Sequence, residues 1–463
     1  MLFSSHVFLF AFLPVVLLLY YVSPRFLRNP VLLLVSLFFY GWGEPVYLLL
    51  MLVTILLNFL CGAWVAALQK KGKKAGAAVA VAVAVAANLL ILGYFKYAGF
   101  LLRSFRSVFP GLGEGVLPEI VLPIGISFYI FQSLSYVIDV YRHDAPVQKN
   151  LLTFGTYVTL FPQLIAGPIV RYRDVALQME GRKENVSDFA SGVLLFIAGL
   201  SKKVLLANPM GSLWNLARAE QGTIVAWVGI TAYAMQIYFD FSGYSDMARG
   251  LGRMFGFEFL ENFNYPYISR SITEFWRRWH ISLSTWFREY VYIPLGGNRR
   301  GLPRQILNLL IVWMLTGLWH GASWNYVLWG LYYAVFLIVE KLFLLKLLKR
   351  LPGVIGWCYT WLAVLLGWTL FYFEDLSALG GFFTKLFTLV PADISGINLI
   401  SAHLPLLALA FLAGTPLVTK TMDARKDALP VRVGRLLAAA AALLLCVAAL
   451  ASQSYNPFIY FRF

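Results

Sequence analysis

The chain has 463 residues, 60% of them hydrophobic and only 13% charged, about half the charged share of a soluble domain. Its net charge of +16 would suggest a nucleic-acid partner in a soluble protein, but excess Lys and Arg is also what cytoplasmic loops of membrane proteins carry. Apolar runs of spanning length recur from end to end, so a soluble single-core fold and a nucleic-acid module are excluded and a polytopic all-α membrane protein remains.

The first apolar run, His6–Val22, has no basic residue before it and no small-residue cleavage pattern in "LLYYVSPR". It is expected to be an uncleaved helix. "QKKGKK" (Gln69–Lys74) is expected to be cytoplasmic. Val46–Leu68 then runs inward, Pro30–Gly43 runs outward, and the N-terminus lies outside. Ala75–Phe95 is the next span. "AAVAVAVAVAA" (Ala77–Ala87) alternates like a strand, but both partners are apolar and helix is expected. Phe128–Arg142 ends with Asp139 and Arg142, a possible acid–base pair. Phe154–Val170 contains "FPQLIAGPIV", too broken for a straight span. Broken backbone at membrane depth needs protein or a water-filled cavity around it, so a re-entrant segment is expected. Arg171–Lys183 is basic and cytoplasmic on the same reasoning.

"QIYFDFSGYSDMARG" (Gln236–Gly250) places Asp240, Ser242, Asp246 and Arg249 beside aromatics. Structural pairing, Asp246 with Arg249, is the expected role. Ser269–Tyr290 then reads as one amphipathic helix. Ile272, Phe275, Trp276, Trp279, Leu283, Trp286, Phe287 and Tyr290 share a face, and Thr273, Arg277, His280, Ser284 and Arg288 form a polar stripe opposite. Two readings stand. One is an interfacial helix gripping anionic headgroups and anchored by tryptophans. The other has the stripe facing a cytoplasmic funnel, with Arg277, Arg288 and Ser284 holding a phosphorylated acyl donor.

From Gln305 to Val339, 35 residues, there is no Lys, Arg, Asp or Glu, and His320 lies inside this stretch. Both flanks are basic, so the chain goes out and returns. The outgoing arm Gln305–Trp319 has 15 residues, about 22 Å as helix against a core of about 30 Å. His320 is therefore expected at a recessed turn, between Gly317 and Gly321, which permit close backbone approach. A histidine here either completes a helix–helix hydrogen bond or acts. Ionisable side chains at membrane depth are functional candidates by default, and a neutral imidazole suits a general base on a hydroxyl. Trp319 and Asn325, beside it in the motif, are candidate supporting residues, as are Asp240 and Asp246.

His6, His143 and His403 read as ordinary. No HExxH, CxxC or HxxxH spacing appears, and no metal site or bound cofactor is expected. Cys61, Cys358 and Cys446 read as packing residues. Leu436–Ala451 follows a basic loop and runs outward, which places the tail "NPFIYFRF" (Asn456–Phe463) outside, either as an aromatic anchor or turned back by Asn456-Pro457. No internal repeat appears, and one continuous domain, residues 1–463, is expected.

"EFWRRWHISLSTWFREYVYIPLGGNRRG" followed by "LTGLWHGASWNYVLWG" resembles the membrane-bound O-acyltransferase (MBOAT) family, in its bacterial alginate O-acetylation branch. "LPIGISFYIFQSLSYVIDVYR", "FPQLIAGPIVRY", "YFDFSGYSDMARGLGRMFGF" and "NPFIYFRF" carry the resemblance over nearly the whole chain. The resemblance implies roughly eleven or more transmembrane helices with re-entrant and interfacial ones, in a ring around a thinned centre with funnels from both sides. It implies transfer of an acyl group, usually acetyl, from a cytoplasmic thioester such as acetyl-CoA towards an extracytoplasmic polysaccharide hydroxyl, in a bacterial cytoplasmic membrane. His320 matches the family's essential histidine and His280 the branch's second one. An extracytoplasmic SGNH-type transferase is the implied partner. The tail is similar to the C-terminal motif of the companion protein in teichoic-acid D-alanylation, which makes Tyr460 a candidate acyl carrier. Arg462 departs from that motif, which is acidic there. A teichoic-acid D-alanyl transfer protein, fed by a carrier protein, is the alternative within the family. A lipid-linked saccharide flippase is the alternative outside it, but substrate-sized polar lining and repeated halves are not visible.

Overall fold

The computed structural model describes residues 1–109, 120–165, 167–424, 428–452 and 458–459. Among them the structure is helical and has no strand. Among the described residues eight helices are long and apolar enough to cross a membrane, and two shorter apolar ones, Phe8–Val22 and Leu376–Phe387, accompany them. The chain clusters into two compact units: Met1–Phe196 with Met247–Leu260, and Ile197–Asp246 with Glu261–Phe463.

The first unit holds α1 (Phe8–Val22), α2 (Arg28–Gly41), α3 (Leu48–Lys70), α4 (Lys74–Val108), α5 (Ile126–Arg142), α6 (Leu151–Thr159), α7 (Phe161–Leu164) and α8 (Tyr172–Gly181). The alternating Ala-Val run is helical, as expected. Ala77, Ala80 and Ala84 are buried at helical spacing with Asn88, while Val79 and Val83 are exposed. Small residues on one face let α4 approach α3 closely. Asn58 and Asn88 then exchange amide hydrogen bonds of 3.1 and 2.9 Å between the two helices. In an apolar interface this pair sets the register.

The segment 154–170 is broken, as its prolines and glycine predict. The chain turns at Leu160 between α6 and α7, and every residue from Thr153 to Ile165 is buried. Ser36 accepts the Phe161 N–H at 3.1 Å, and the Gln163 amide donates to the Tyr157 carbonyl. Groups freed by the break are thus satisfied inside protein. Asp139, fully buried, lies 3.8 Å from Arg173.

Two long helices follow, α9 (Val186–Ala219) and α10 (Thr223–Met254). They touch through glycines. A Cβ on Gly250 would stand 2.6 Å from the Gly192 carbonyl, and one on Gly243 would stand 2.7 Å from that of Gly199.

The second unit continues with α11 (Ile272–Arg278), α12 (Ile281–Phe287), α13 (Leu302–His320), α14 (Trp324–Val339), α15 (Gly353–Tyr372), α16 (Leu376–Phe387), α17 (Ile394–Ala413) and α18 (Leu429–Ser452). The amphipathic segment departs from expectation. It is two short helices, broken at Trp279–His280, with His280 in the left-handed region at φ 44°. Its eight apolar positions are nevertheless all buried. Trp276 packs its ring against Trp313, Trp329 and Tyr333. The tryptophans therefore belong to the protein core and are not headgroup anchors. Cys358 is exposed, so it is not a packing residue, while Cys61 and Cys446 are buried.

The helical hairpin α13–α14 forms where the charge-free stretch predicts it. The arm is longer than expected, beginning at Leu302 and running 19 residues, about 28 Å. Its length alone therefore does not recess the turn. The two backbones cross at Gly317 and Gly330: a Cβ on Gly330 would stand 3.4 Å from the α-carbon of Gly317 and collide with the Trp313 carbonyl. Gly330→Leu should destabilise the hairpin by about 1–3 kcal/mol or more. The detergent-solubilised variant should melt earlier, whereas Gly434→Ala, in open space, should melt like the parent.

Candidate active site

His320 ends α13 and is 4% exposed. A Cβ on Gly321 would fall inside the Tyr326 ring, so the chain turns tightly against that side chain. Rings that meet the His320 imidazole edge-to-face include Trp319 at 4.9 Å, Trp329 at 5.0 Å and Phe371 at 5.2 Å. Asn325, fully buried, donates to the Phe371 carbonyl at 3.1 Å and the Leu370 carbonyl at 3.4 Å. These carbonyls close α15, whose last turn has no intrahelical donor for them. Asn325 thus ties the end of α15, and with it Phe371, to the His320 turn.

His280 is fully buried. Segment 262–264 runs beside 278–281 and holds the left-handed residue through backbone bonds, Ile281 N–H to Asn262 O at 3.0 Å and Asn264 N–H to Arg278 O at 2.9 Å. The Asn262 side-chain oxygen accepts from Ser282 N–H at 3.1 Å and from Ser282 Oγ at 2.9 Å, and lies 3.2 Å from His280 Nδ1. Because the Ser282 amide is an obligatory donor, the facing Asn262 atom is the oxygen. Nδ1 then carries the proton, and Nε2 carries the lone pair. Burial pushes the imidazole pKa down to about 3.

One indole joins the two histidines. The Trp319 ring is 5.7 Å from that of His280 and 4.9 Å from that of His320. Residues 40 apart in sequence are therefore separated by a single aromatic side chain. On the other side of His280 stands Phe241, ring to ring at 4.6 Å. The wall is aromatic and water-poor, and burial holds the His280 imidazole neutral within it.

The polar stripe is not assembled as expected. His280 is inside the protein, while Arg277 and Arg288 are exposed and Arg288 lies 3.2 Å from its neighbour Glu289. The left-handed break rotates His280 out of the row that continuous helix would give it. Ser284 is half-buried and donates to the Trp276 carbonyl at 3.4 Å. Asp246 pairs with Lys202 at 2.6 Å, and Asp240 pairs with Lys203 at 2.5 Å. Tyr460 and Arg462 lie outside the described residues, but Phe458 and Ile459 before them are buried. Among the described residues no group of three His, Cys, Asp or Glu side chains comes together to hold a metal.

Sequence reasoning missed Asn262, Phe371 and Glu340. Glu340 is the first charge after the charge-free stretch, and it is fully buried. Its carboxylate accepts from Ile272 N–H at 2.6 Å, Thr273 N–H at 2.8 Å and Tyr359 OH at 3.1 Å. It caps the start of α11, where an anion is favoured. A Glu that closes an apolar run and has basic neighbours on one side only was the available signal.

The MBOAT (membrane-bound O-acyltransferase) family model matches residues 34–364. Over all of both chains, this chain is 42% identical to the probable alginate O-acetylase AlgI of Pseudomonas putida. It is 33% identical to the peptidoglycan O-acetyltransferase of Helicobacter pylori, over 82% of this chain and 78% of that one. It is 28% identical to the teichoic acid D-alanyltransferase of Bacillus subtilis, over 55% of this chain and 73% of that one.

The buried neutral His280 has a consequence for acid stability. Its pKa is lowered from 6.5 to about 3 in the folded protein. Between those values the unfolded chain binds a proton that the folded one does not, so stability falls as pH drops from about 6.5 towards 3. The melting temperature in detergent should fall over pH 7 to 4. The fall should be smaller in His280→Asn, where the side chain tolerates the left-handed backbone and does not titrate.

Proposed function

The chain belongs to the membrane-bound O-acyltransferase family, and from that premise we propose that it moves an acetyl group from cytoplasmic acetyl-CoA towards hydroxyls of an extracytoplasmic polysaccharide. The observation that carries this reading is the buried turn that sets His320 one indole away from His280. Alginate-like exopolysaccharide and peptidoglycan are the acceptor classes, because the proteins named for those activities align over most of this chain. The D-alanyl alternative rests on a weaker and shorter similarity. The enzyme sits in the bacterial cytoplasmic membrane, with both termini extracytoplasmic, and the exposed Arg277 and Arg288 meet the phosphates of the donor.

His320 acts as general base. It takes the proton of the Tyr460 hydroxyl, and the phenolate oxygen attacks the thioester carbonyl. The C–S bond breaks, and the leaving coenzyme A thiolate takes the proton that His320 removed. The acetyl ester on Tyr460 is then attacked by a serine of an extracytoplasmic SGNH-type transferase, which regenerates the phenol. A phenol with an ordinary pKa near 10 needs such a base at neutral pH. His280, neutral and fixed by Asn262, supports the donor side of the same wall.

His320→Ala should lower polysaccharide acetylation by roughly 10²–10⁴-fold, with the membrane level of folded protein kept. Near-normal acetylation in cells carrying the variant would sink the mechanism. Release of free thiol from acetyl-CoA by purified protein separates this reading from a flippase, which releases none. Tyr460→Phe keeps the ring and removes only the nucleophile. It should stop acetyl transfer to the polysaccharide, and normal polysaccharide acetylation in that variant excludes the relay.

A further inference from the structure

We propose that Asp240 and Lys203 form a seat for this chain's own C-terminal tail, and that Asp240 is a positioning residue for the relay through Tyr460. The positioning role rests on the relay proposed above, whereas the seat itself does not.

Asp240 lies in the middle of α10, an apolar span, and is 1% exposed. A carboxylate there is costly unless it is both paired and hydrogen-bonded. Its two oxygens have different partners. Oδ1 meets the Lys203 ammonium at 2.5 Å, and Oδ2 accepts the backbone N–H of Ile459 at 2.7 Å. Lys203 projects from the π-helical stretch Lys202–Ala207, where an extra residue in the turn re-aims side chains. The tail residues flanking that bond are buried, Phe458 at 3% and Ile459 at 8% exposure. Phe458 packs on Tyr244 at 4.7 Å and on Phe241 at 6.0 Å. Phe241 is the same ring that stands 4.6 Å from His280.

A link between α9 and α10 does not by itself account for this arrangement. Lys202 and Asp246 already join the two helices at 2.6 Å on a more exposed side, and Gly199 and Gly243 already bring the backbones together. The bond from Asp240 to residue 459 adds nothing to that pairing. What it does is fix a backbone amide one residue before Tyr460, against the aromatic wall that His280 shares. A main-chain bond of this kind sets register whatever the side chain. Asp240 touches no reacting group, so its loss acts on turnover and leaves donor affinity alone.

The test is maleimide labelling of Ile459→Cys in full-length protein carrying Cys358→Ser, since Cys358 is exposed while Cys61 and Cys446 are buried. Replacing both charges together, Asp240→Leu with Lys203→Met, leaves no unpaired buried ion and spares the fold. It should speed labelling by about tenfold or more, as local opening does. It should also lower kcat for polysaccharide acetylation by about tenfold or more, with KM for acetyl-CoA little changed. Phe458→Ala leaves both charges in place and should also speed labelling. Unchanged labelling in a folded form of either variant overturns the seat. Faster labelling with undiminished kcat overturns the positioning role. Normal acetylation in Tyr460→Phe removes the relay and, with it, the positioning role, while the labelling result still decides the seat.

Discussion

The second unit depends on the backbone crossing of α13 and α14 at Gly317 and Gly330. Helices surrounded by lipid gain little from hiding apolar side chains, so their association rests on close packing. Two glycines facing each other let the backbone of one helix lie directly against that of the other, and no larger residue would. The turn that follows is correspondingly tight. Gly321 passes over the Tyr326 ring, and His320 ends its helix facing Trp319, Trp329 and Phe371. The orientation of the proposed base is thus a consequence of how near two backbones come.

Four buried polar side chains of this unit each bond the end of another element. Asn325 takes the last carbonyls of α15, and Glu340 takes the first amides of α11. Asn262 serves the first turn of α12 along with His280, and Asp240 takes an amide of the tail. With no water in an apolar interior, unpaired amides and carbonyls cost several kcal/mol each. These four side chains therefore fix where helices stop. Asn325 also fixes a ring of the site, because Phe371, which meets His320, lies at the end that it binds.

His280 shows how a local departure serves a site. Left-handed backbone at a non-glycine residue is unfavourable by about 1–2 kcal/mol, and here the pairing of 262–264 with 278–281 imposes it. The break turns the imidazole from the exposed row of Arg277 and Arg288 into the aromatic wall. One segment thereby presents cations outward and a neutral histidine inward, which a continuous helix of this sequence does not do.

Much was decided by the sequence alone. Apolar run lengths set the helical membrane class, and the charge-free stretch around "GLWHGASWN" marked both the hairpin and the histidine at its turn. The eight apolar positions of Ser269–Tyr290 were legible as buried, because periodicity survives a one-residue break when the same face continues to be covered. Pro162 and Gly167 marked the broken segment, since their backbone effects are local. The tertiary structure alone decided the rest. It placed the break at His280, joined Asp240 to Lys203 and residue 459, and set Trp319 between two histidines. Hydrophobic pattern and turn chemistry act over a few residues, and so they can be read along the chain. The partner of a buried polar group is whichever group the packing brings within hydrogen-bonding reach of it, and sequence distance says nothing about that.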